Sequence, residues 1–280
     1  MAPIITVVTV CYNSASTIQR TLESVLVQDL SGIEYLIIDG ASTDSTIEII
    51  NCFEDRYDGA LRLISEHDNG WYDAMNKAIQ SAEGNFIVFL NSDDYFDKDA
   101  LSIVKNVIKT KHLSNDCIIY GDSTNIYQNS KGNVLYRRIN APDQIDPKDR
   151  GLRKGMCGIR HQSMFTGKGV FNSVGGLDLQ YRLHADWDFL IRCVKKGIPM
   201  YHIPQNLTYY SMNGVSTKSN YNERHELRKN NGLYDGIDWD YIRDRWGLKT
   251  TAKRIFGEKR WNDILFSIHE KRESSSISLL

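Results

Sequence analysis

What most constrains this chain is an alternation that runs through its first 120 residues. Unbroken apolar stretches rich in β-branched residues, "IITVVTVCY", "EYLIID", "LRLISE" and "NFIVFL", are separated by segments with helical spacing. "NSASTIQRTLESVLVQD" brings Ile18, Leu22, Val25 and Leu26 to one face. "STDSTIEIINCFEDR", "GWYDAMNKAIQSAEG" and "KDALSIVKNVIKTK" follow the same rule, with Met75, Ala78, Ile79 and Ala82 aligned in the second of these and Gly84 past its end. A strand with one wet face alternates polar and apolar residues, whereas an unbroken apolar strand needs cover on both faces. The expected class is therefore α/β: a mostly parallel, Rossmann-like sheet flanked by helices. Ligands of such sheets bind beyond the carboxyl ends of the strands.

After Tyr120 the pattern changes. "STNIYQNSKGNVLYRR" predicts a hairpin around a Ser-Lys-Gly-Asn turn, and "IDPKDRGLRKGMCG" a polar loop. "HADWDFLIRCVKKG" predicts a helix with Trp187, Leu190, Ile191 and Val194 on one face and Gly197 as its stop. "PMYHIP" and "LTYYSM" read as two short strands, and the chain from about residue 220 onward as helical. This divides it into a sheet-bearing domain, 1–219, with halves 1–120 and 121–219, and a helical C-terminal extension, 220–280. A net charge of −1 gives no global attraction to nucleic acid, so none is expected as a partner. Five cysteines without a CxxC spacing read as thiols in a reducing compartment. "MAPIITVVTVCYN" has no basic leader, and no apolar run approaches the roughly 20 residues that span a bilayer. A cytoplasmic protein is expected.

Acids collect where the strands end: Asp39 and Asp44 after the second, Glu66 and Asp68 after the third, Asp93 and Asp94 after the fourth, Asp122 after the next. On their own, Asp93 and Asp94 fit equally well the start of the following helix, whose dipole favours negative charge. Independent turn acids, however, need not share one sheet edge. The chain has no GxxxxGK[ST], and no GxGxxG follows a strand, so no glycine-rich loop is offered to a phosphate. The remaining way to hold a diphosphate on an acidic edge is a bridging hard cation, Mn²⁺ or Mg²⁺, on carboxylate oxygens. Asp94 is the expected metal ligand, with Asp93 orienting ribose or sugar hydroxyls.

"VVTVCYNSASTIQRTLESVLVQ", "LIIDGASTDSTIEII", "SEHDNGWYDAMNKAIQSAEGNFIVFLNSDD" and "ADWDFLIRCVKKG" resemble, in order, the motifs of the family 2 glycosyltransferases with the GT-A fold. The resemblance covers roughly residues 4–215. It implies inverting transfer from a nucleotide-diphospho-sugar, with UDP-hexose or UDP-N-acetylhexosamine as the family-level expectation. The divalent metal would sit at Ser92-Asp93-Asp94. Tyr12 and Asp39 would face the nucleoside, with Asp68 and Asn76 nearby. Two positions depart from the pattern: Gly40 stands where a second Asp is common, and Ser92 leaves two acids in the metal motif rather than three.

Inversion by direct displacement needs a base for the acceptor hydroxyl and a neutralised leaving group. The resemblance makes Asp186 the base, with Ala185 in place of the usual preceding Glu. Helical geometry places Asp186 about 100° from Trp187 and about 200° from Asp188, so Asp186 can line a cleft while Asp188 faces elsewhere. Serving as helix N-cap is the alternative for Asp186. "RHQSMF" resembles the acceptor side, which offers His161 and Gln162. Trp187 serves either as an apolar platform for a sugar or as core. "NGVSTKSNYNERHE" resembles a loop that closes over the donor and contains His225. The implied acceptor is a saccharide or a polyprenyl-diphosphate-linked glycan in surface polysaccharide synthesis. The basic, aromatic stretch 243–272, with Trp246, Phe256 and Trp261, fits peripheral contact with an anionic membrane, at the inner face of the plasma membrane, or equally a packed helical pair. A nucleotidyltransferase would carry a basic, glycine-rich loop after the first strand, and "CYNSAST" has neither; a non-catalytic nucleotide- or sugar-binding module would not need Asp94 and Asp186.

Overall fold

The computed structural model describes residues 3–145, 158–212, 221–233, 260, 263, 264, 266 and 267. The first four strands, β1 (Ile5–Cys11), β2 (Ile33–Asp39), β3 (Leu61–Ser65) and β4 (Phe86–Phe89), alternate with helices α1 (Ile18–Leu26), α2 (Thr46–Glu54), α3 (Trp71–Ser81) and α4 (Ala100–Thr110). β1 pairs in parallel with β2 and β4, and β2 with β3. Every residue of β1, β2 and β4 is buried. That is the burial their unbroken apolar runs predict for a sheet covered on both faces. α1 turns Ile18, Leu22 and Val25 into this core. The polar residues inside it are satisfied. Thr6 donates to Glu34 (2.6 Å), which also accepts from Arg62 (2.6 Å) and from the Glu83 amide (2.8 Å).

The later strands are β5 (Tyr95–Phe96), β6 (Ile118–Gln128), β7 (Val134–Ile139), β8 (Met164–Gly167) and β9 (Met200–Ser211). They join the same sheet in the order β3-β2-β1-β4-β8-β6-β9-β5, with β7 paired to β6. β8 is antiparallel to both β4 and β6, and β5 to β9. The sheet is thus parallel from β3 to β4 and mixed beyond it: β6 and β9 run the same way, with the Ile118 amide donating to the Pro199 carbonyl and the Met212 amide to the Ile126 carbonyl (both 2.9 Å). β4 is the seam. The hairpin expected at 123–138 is β6–β7. The two short strands expected around Pro204 are one strand, β9. β9 lies between β6 and β5, and β5 pairs only with Thr208 and Tyr209. α5 (Lys168–Val174) and α6 (Ala185–Lys196) follow β8.

Two compact units result. The first, Met1–Thr124 with Arg138–Tyr210, holds most of the sheet and all the residues discussed below as a site. The second comprises Asn125–Arg137 and Ser211–Leu280. Within it Asp263 accepts from the Ser130 amide and hydroxyl (2.8 and 2.7 Å), and α7 spans Tyr221–Asn230. α7 contains His225. The rest of the expected closing loop, 213–220, the polar loop from 146 to 157 and nearly all of 243–272 lie outside the described residues. Among the described residues no helix is long and apolar enough to cross a membrane.

Candidate active site

The carboxyl edge of the parallel strands is built from loops that hold one another. Tyr12, after β1, is 62% exposed. Asn13 adopts a positive φ of 49°, accepts from the Thr43 amide (2.9 Å) and donates its own amide to Ser42 Oγ (2.8 Å). The loops after β1 and β2 are thereby tied together. Asp39 is fully buried at the end of β2. It accepts from the Ser42 amide (2.9 Å), the Ser42 and Ser65 hydroxyls and the Cys11 thiol (3.5 Å). It braces the edge from below. Burial, and then the Asp39 charge, push the Cys11 thiol far up, so it remains a neutral donor. Asp68 accepts from the Gly70 amide (2.8 Å), and its Oδ2 lies 2.6 Å from where a Cβ on Gly40 would stand. The departure at Gly40 thus has a local reason: a side chain there would occupy the place of the Asp68 carboxylate.

The segment after β4 is clamped by α1 and by the loop that leads into it. Ser14 Oγ pairs with Ser92 Oγ (2.9 Å), Thr21 Oγ1 donates to the Asp94 carbonyl (2.7 Å), and the Phe96 amide donates to Ser24 Oγ (3.2 Å). Arg20 donates to the Asp93 carbonyl (2.7 Å) and covers the Tyr95 ring at 4.7 Å. Burial pushes the Asp93 carboxyl up, with Arg20 and His161 pulling the other way. Asp94 is fully buried and accepts from Gln162 Nε2 (2.7 Å).

Asp186 lies in the first turn of α6, whose N-cap position is His184, so it is not the N-cap. Its Oδ1 accepts from the Tyr72 hydroxyl of α3 (2.8 Å), and its Oδ2 pairs with His161 Nδ1 (3.0 Å). Burial alone would raise this carboxyl. The His161 contact, then Tyr72 and His184, more than offset it and bring Asp186 down to about 2. It is an anion at neutral pH, with its side chain 33% exposed. Burial and the charge of Asp186 push the Tyr72 hydroxyl well up, so Tyr72 stays a donor. Asp188 points elsewhere, buried against Arg192 Nε (2.7 Å).

Three residues expected to contact a ligand have protein partners. Asn76 pairs both ends of its amide with the backbone of Leu177 (2.8 and 2.9 Å), tying α3 to the chain that leads into α6. Gln162 is fully buried against Asp94 and does not face an acceptor. Trp187 is buried on the same face of α6 as Leu190, Ile191 and Val194, edge-on to His184, so it is core rather than a platform. Two residues of the site escaped the sequence. Tyr72 sits among the apolar positions of α3, where only the aligned face was legible. Asn91, whose Oδ1 is 3.5 Å from His161 Nε2, directly precedes the acid motif and was the more accessible of the two.

The donor set suits a hard divalent cation. Asp93 and Asp94 are carboxylates, and the side chain that holds Asp94, Gln162, is a neutral amide that leaves its charge uncancelled. No three His, Cys, Asp or Glu side chains converge there among the described residues. A cation would therefore need phosphate oxygens and water to complete its shell.

A family model, glycosyl transferase family 2, matches residues 6–166. A PGL/p-HBAD biosynthesis glycosyltransferase of Mycobacterium tuberculosis is 34% identical over 195 residues, covering 69% of this chain and 70% of the relative. The chondroitin synthase of Pasteurella multocida is 29% identical over 196 residues, which is 70% of this chain and 19% of that enzyme. Among solved structures, S. aureus TarS 1-349 in complex with UDP-GlcNAc superposes with a TM-score of 0.65 at 15% identity, covering 91% of this chain and 76% of that one. The mannosyltransferase PcManGT from Pyrobaculum calidifontis, in complex with GDP-Man and Mn²⁺, gives 0.58 at 17% identity, covering 100% and 81%. The fold is GT-A, and the chain belongs to glycosyl transferase family 2: it is a glycosyltransferase.

Proposed function

We propose that the enzyme transfers a sugar, with inversion, from a nucleotide-diphospho-sugar to a saccharide or lipid-linked acceptor in the synthesis of a surface polysaccharide or glycolipid. The observation that carries this reading is the pairing of two acids in one unit: Asp94, buried where β4 ends, and Asp186, anionic at the start of α6. The acceptor hydroxyl is held at Asp186, which takes its proton as the oxygen attacks the anomeric carbon. The new C–O bond forms while the bond to the diphosphate oxygen breaks, and that electron pair leaves with the nucleoside diphosphate. Asp94, with Asp93 beside it, would hold a divalent cation, which when bound supplies positive charge to the leaving phosphates. Tyr12 offers an exposed ring to the nucleoside over the edge braced by Asp39, and Asp68 lies beside it. UDP-hexose or UDP-N-acetylhexosamine is the donor class supported by the UDP-GlcNAc complex of the TarS neighbour, and Mn²⁺ by the PcManGT complex. A lipid-linked acceptor would place the enzyme at the cytoplasmic membrane face.

A thermal-shift screen of nucleotide-sugars with and without Mn²⁺ tests the donor, since a ligand at 100 times its Kd stabilises by about 2.7 kcal/mol. Asp186→Asn tests the base. Donor binding should persist while turnover falls by roughly two to four orders of magnitude. Near-wild-type turnover would reject Asp186.

A further inference from the structure

The turn at His161–Ser163 engages three separate elements through three consecutive side chains. His161 Nδ1 reaches Asp186 on α6 (3.0 Å), and its Nε2 lies 3.5 Å from Asn91 Oδ1 after β4. Gln162 Nε2 donates to Asp94 Oδ2 (2.7 Å). Ser163 Oγ pairs with Thr208 Oγ1 on β9 (2.7 Å), and the preceding Arg160 lies over the Tyr210 ring at 4.7 Å. Neighbouring Cα atoms stand about 3.8 Å apart, so side chains anchored this way leave the turn little slack. The geometry points to His161 and Gln162 as a pair of positioning residues: one turn holds the base carboxylate of Asp186 and the metal-motif carboxylate of Asp94 in fixed register. The inference rests on the assignment of Asp186 as base and Asp94 as cation ligand.

The residue types suit the two tasks. An amide orients Asp94 without cancelling its charge, which a Lys would do, and so leaves the carboxylate able to take a cation. Asp186 is faced by Tyr72 from α3, by His161 from the turn and by His184 at the N-cap of its own helix. Of these His161 lowers its proton affinity most, against burial, which raises it. Without His161 the carboxyl titrates higher, so the acid limb of turnover moves to higher pH.

The test uses His161→Ala, His161→Asn, Gln162→Met and Gln162→Asn in the full chain, with melting temperatures to confirm folding. One readout is Mn²⁺ affinity in the presence of UDP by calorimetry. The other is the pH profile of nucleoside diphosphate release from the donor that gives the largest Mn²⁺-dependent thermal shift. Both Gln162 variants should weaken Mn²⁺ binding by about 10- to 100-fold and leave the acid limb in place. His161→Ala should raise the acid limb by about one pH unit or more while leaving Mn²⁺ affinity unchanged. His161→Asn, whose amide can replace the Nδ1 donor, should restore much of the wild-type profile. Parallel loss of both readouts in every variant, or no movement in either, overturns the inference. Asp94→Ala and Asp186→Asn are measured alongside. If Asp94→Ala keeps Mn²⁺ binding or Asp186→Asn keeps turnover, the underlying assignment fails and takes the inference with it. If both behave as assigned while the turn variants are silent, the positioning role alone is rejected.

Discussion

Asn76→Ala separates a brace from a ligand contact. In the structure the Asn76 amide donates to the Leu177 carbonyl (2.8 Å) and accepts from the Leu177 amide (2.9 Å), tying α3 to the chain that leads into α6. The fit depends on Gly176, because a Cβ there would stand 2.6 Å from Asn76 Oδ1. Removing the side chain deletes two hydrogen bonds, each worth about 0.5–1.5 kcal/mol net, so the loss should be about 2 kcal/mol. For a chain of this size that lowers Tm by about 4–8 °C. Gly176→Ala displaces the same amide and should lower Tm in the same direction. The assay is thermal melting beside a titration of UDP with Mn²⁺. A brace predicts lower Tm with nearly unchanged nucleotide affinity. If Asn76→Ala leaves Tm in place and weakens UDP about ten-fold, a change of about 1.4 kcal/mol, Asn76 is a donor contact and the reasoning is wrong.

Asp94→Ala should abolish Mn²⁺-dependent nucleotide binding while the protein stays folded; full wild-type activity in excess EDTA would defeat the metal assignment. Gly40→Ala should weaken nucleotide binding more than it lowers Tm, since the new Cβ meets the end of the Asp68 side chain rather than backbone. An unchanged UDP affinity would show that Asp68 has no part in the donor site. Deleting 243–280 should weaken binding to anionic liposomes at low salt, where basic residues are least screened. An intact protein that ignores such liposomes would make the basic stretch a packed surface only.

The half of the fold that the sequence displays most openly is the half whose strands are buried on both faces. "VVTVC" and "LIID" admit only one kind of neighbour, so β1 and β2 and the acids at their ends were legible. The later strands were less so. β5 is two residues long and carries no periodicity, and Pro204 reads as a break because a proline has no N–H for a ladder, yet β9 runs through it. In the site, Asp186 and Asp94 stood out because an acid beside an apolar segment is costly without a purpose. The uses of Asn76, Gln162 and Trp187 were hidden for a common reason. Each depends on a partner far away in the chain or on the orientation of a helix, and residue type alone is compatible with ligand and brace alike.

The seam at β4 bears on how the molecule is made. Its two ladders differ in age: β1 is already synthesised when β4 emerges, while β8 follows only after α4 and the β6–β7 hairpin. Until β8 arrives, Phe86-Ile87-Val88-Phe89 presents an unpaired, strongly apolar edge, the kind that recruits other chains. During the same interval Asp94 lacks Gln162, and Asp186 does not yet exist. A nascent chain halted near residue 120 should therefore aggregate. In refolding, the Phe86 and Leu90 amides, which donate to the Ile4 and Val8 carbonyls (3.0 and 2.8 Å), should gain protection from hydrogen exchange with β1, whereas the β4 amides that face β8 should gain it only with β8. Protection of the β8-facing amides at the earlier stage would show that the first half closes its own edge. In this architecture competence for chemistry and relief from aggregation come with the same late strand.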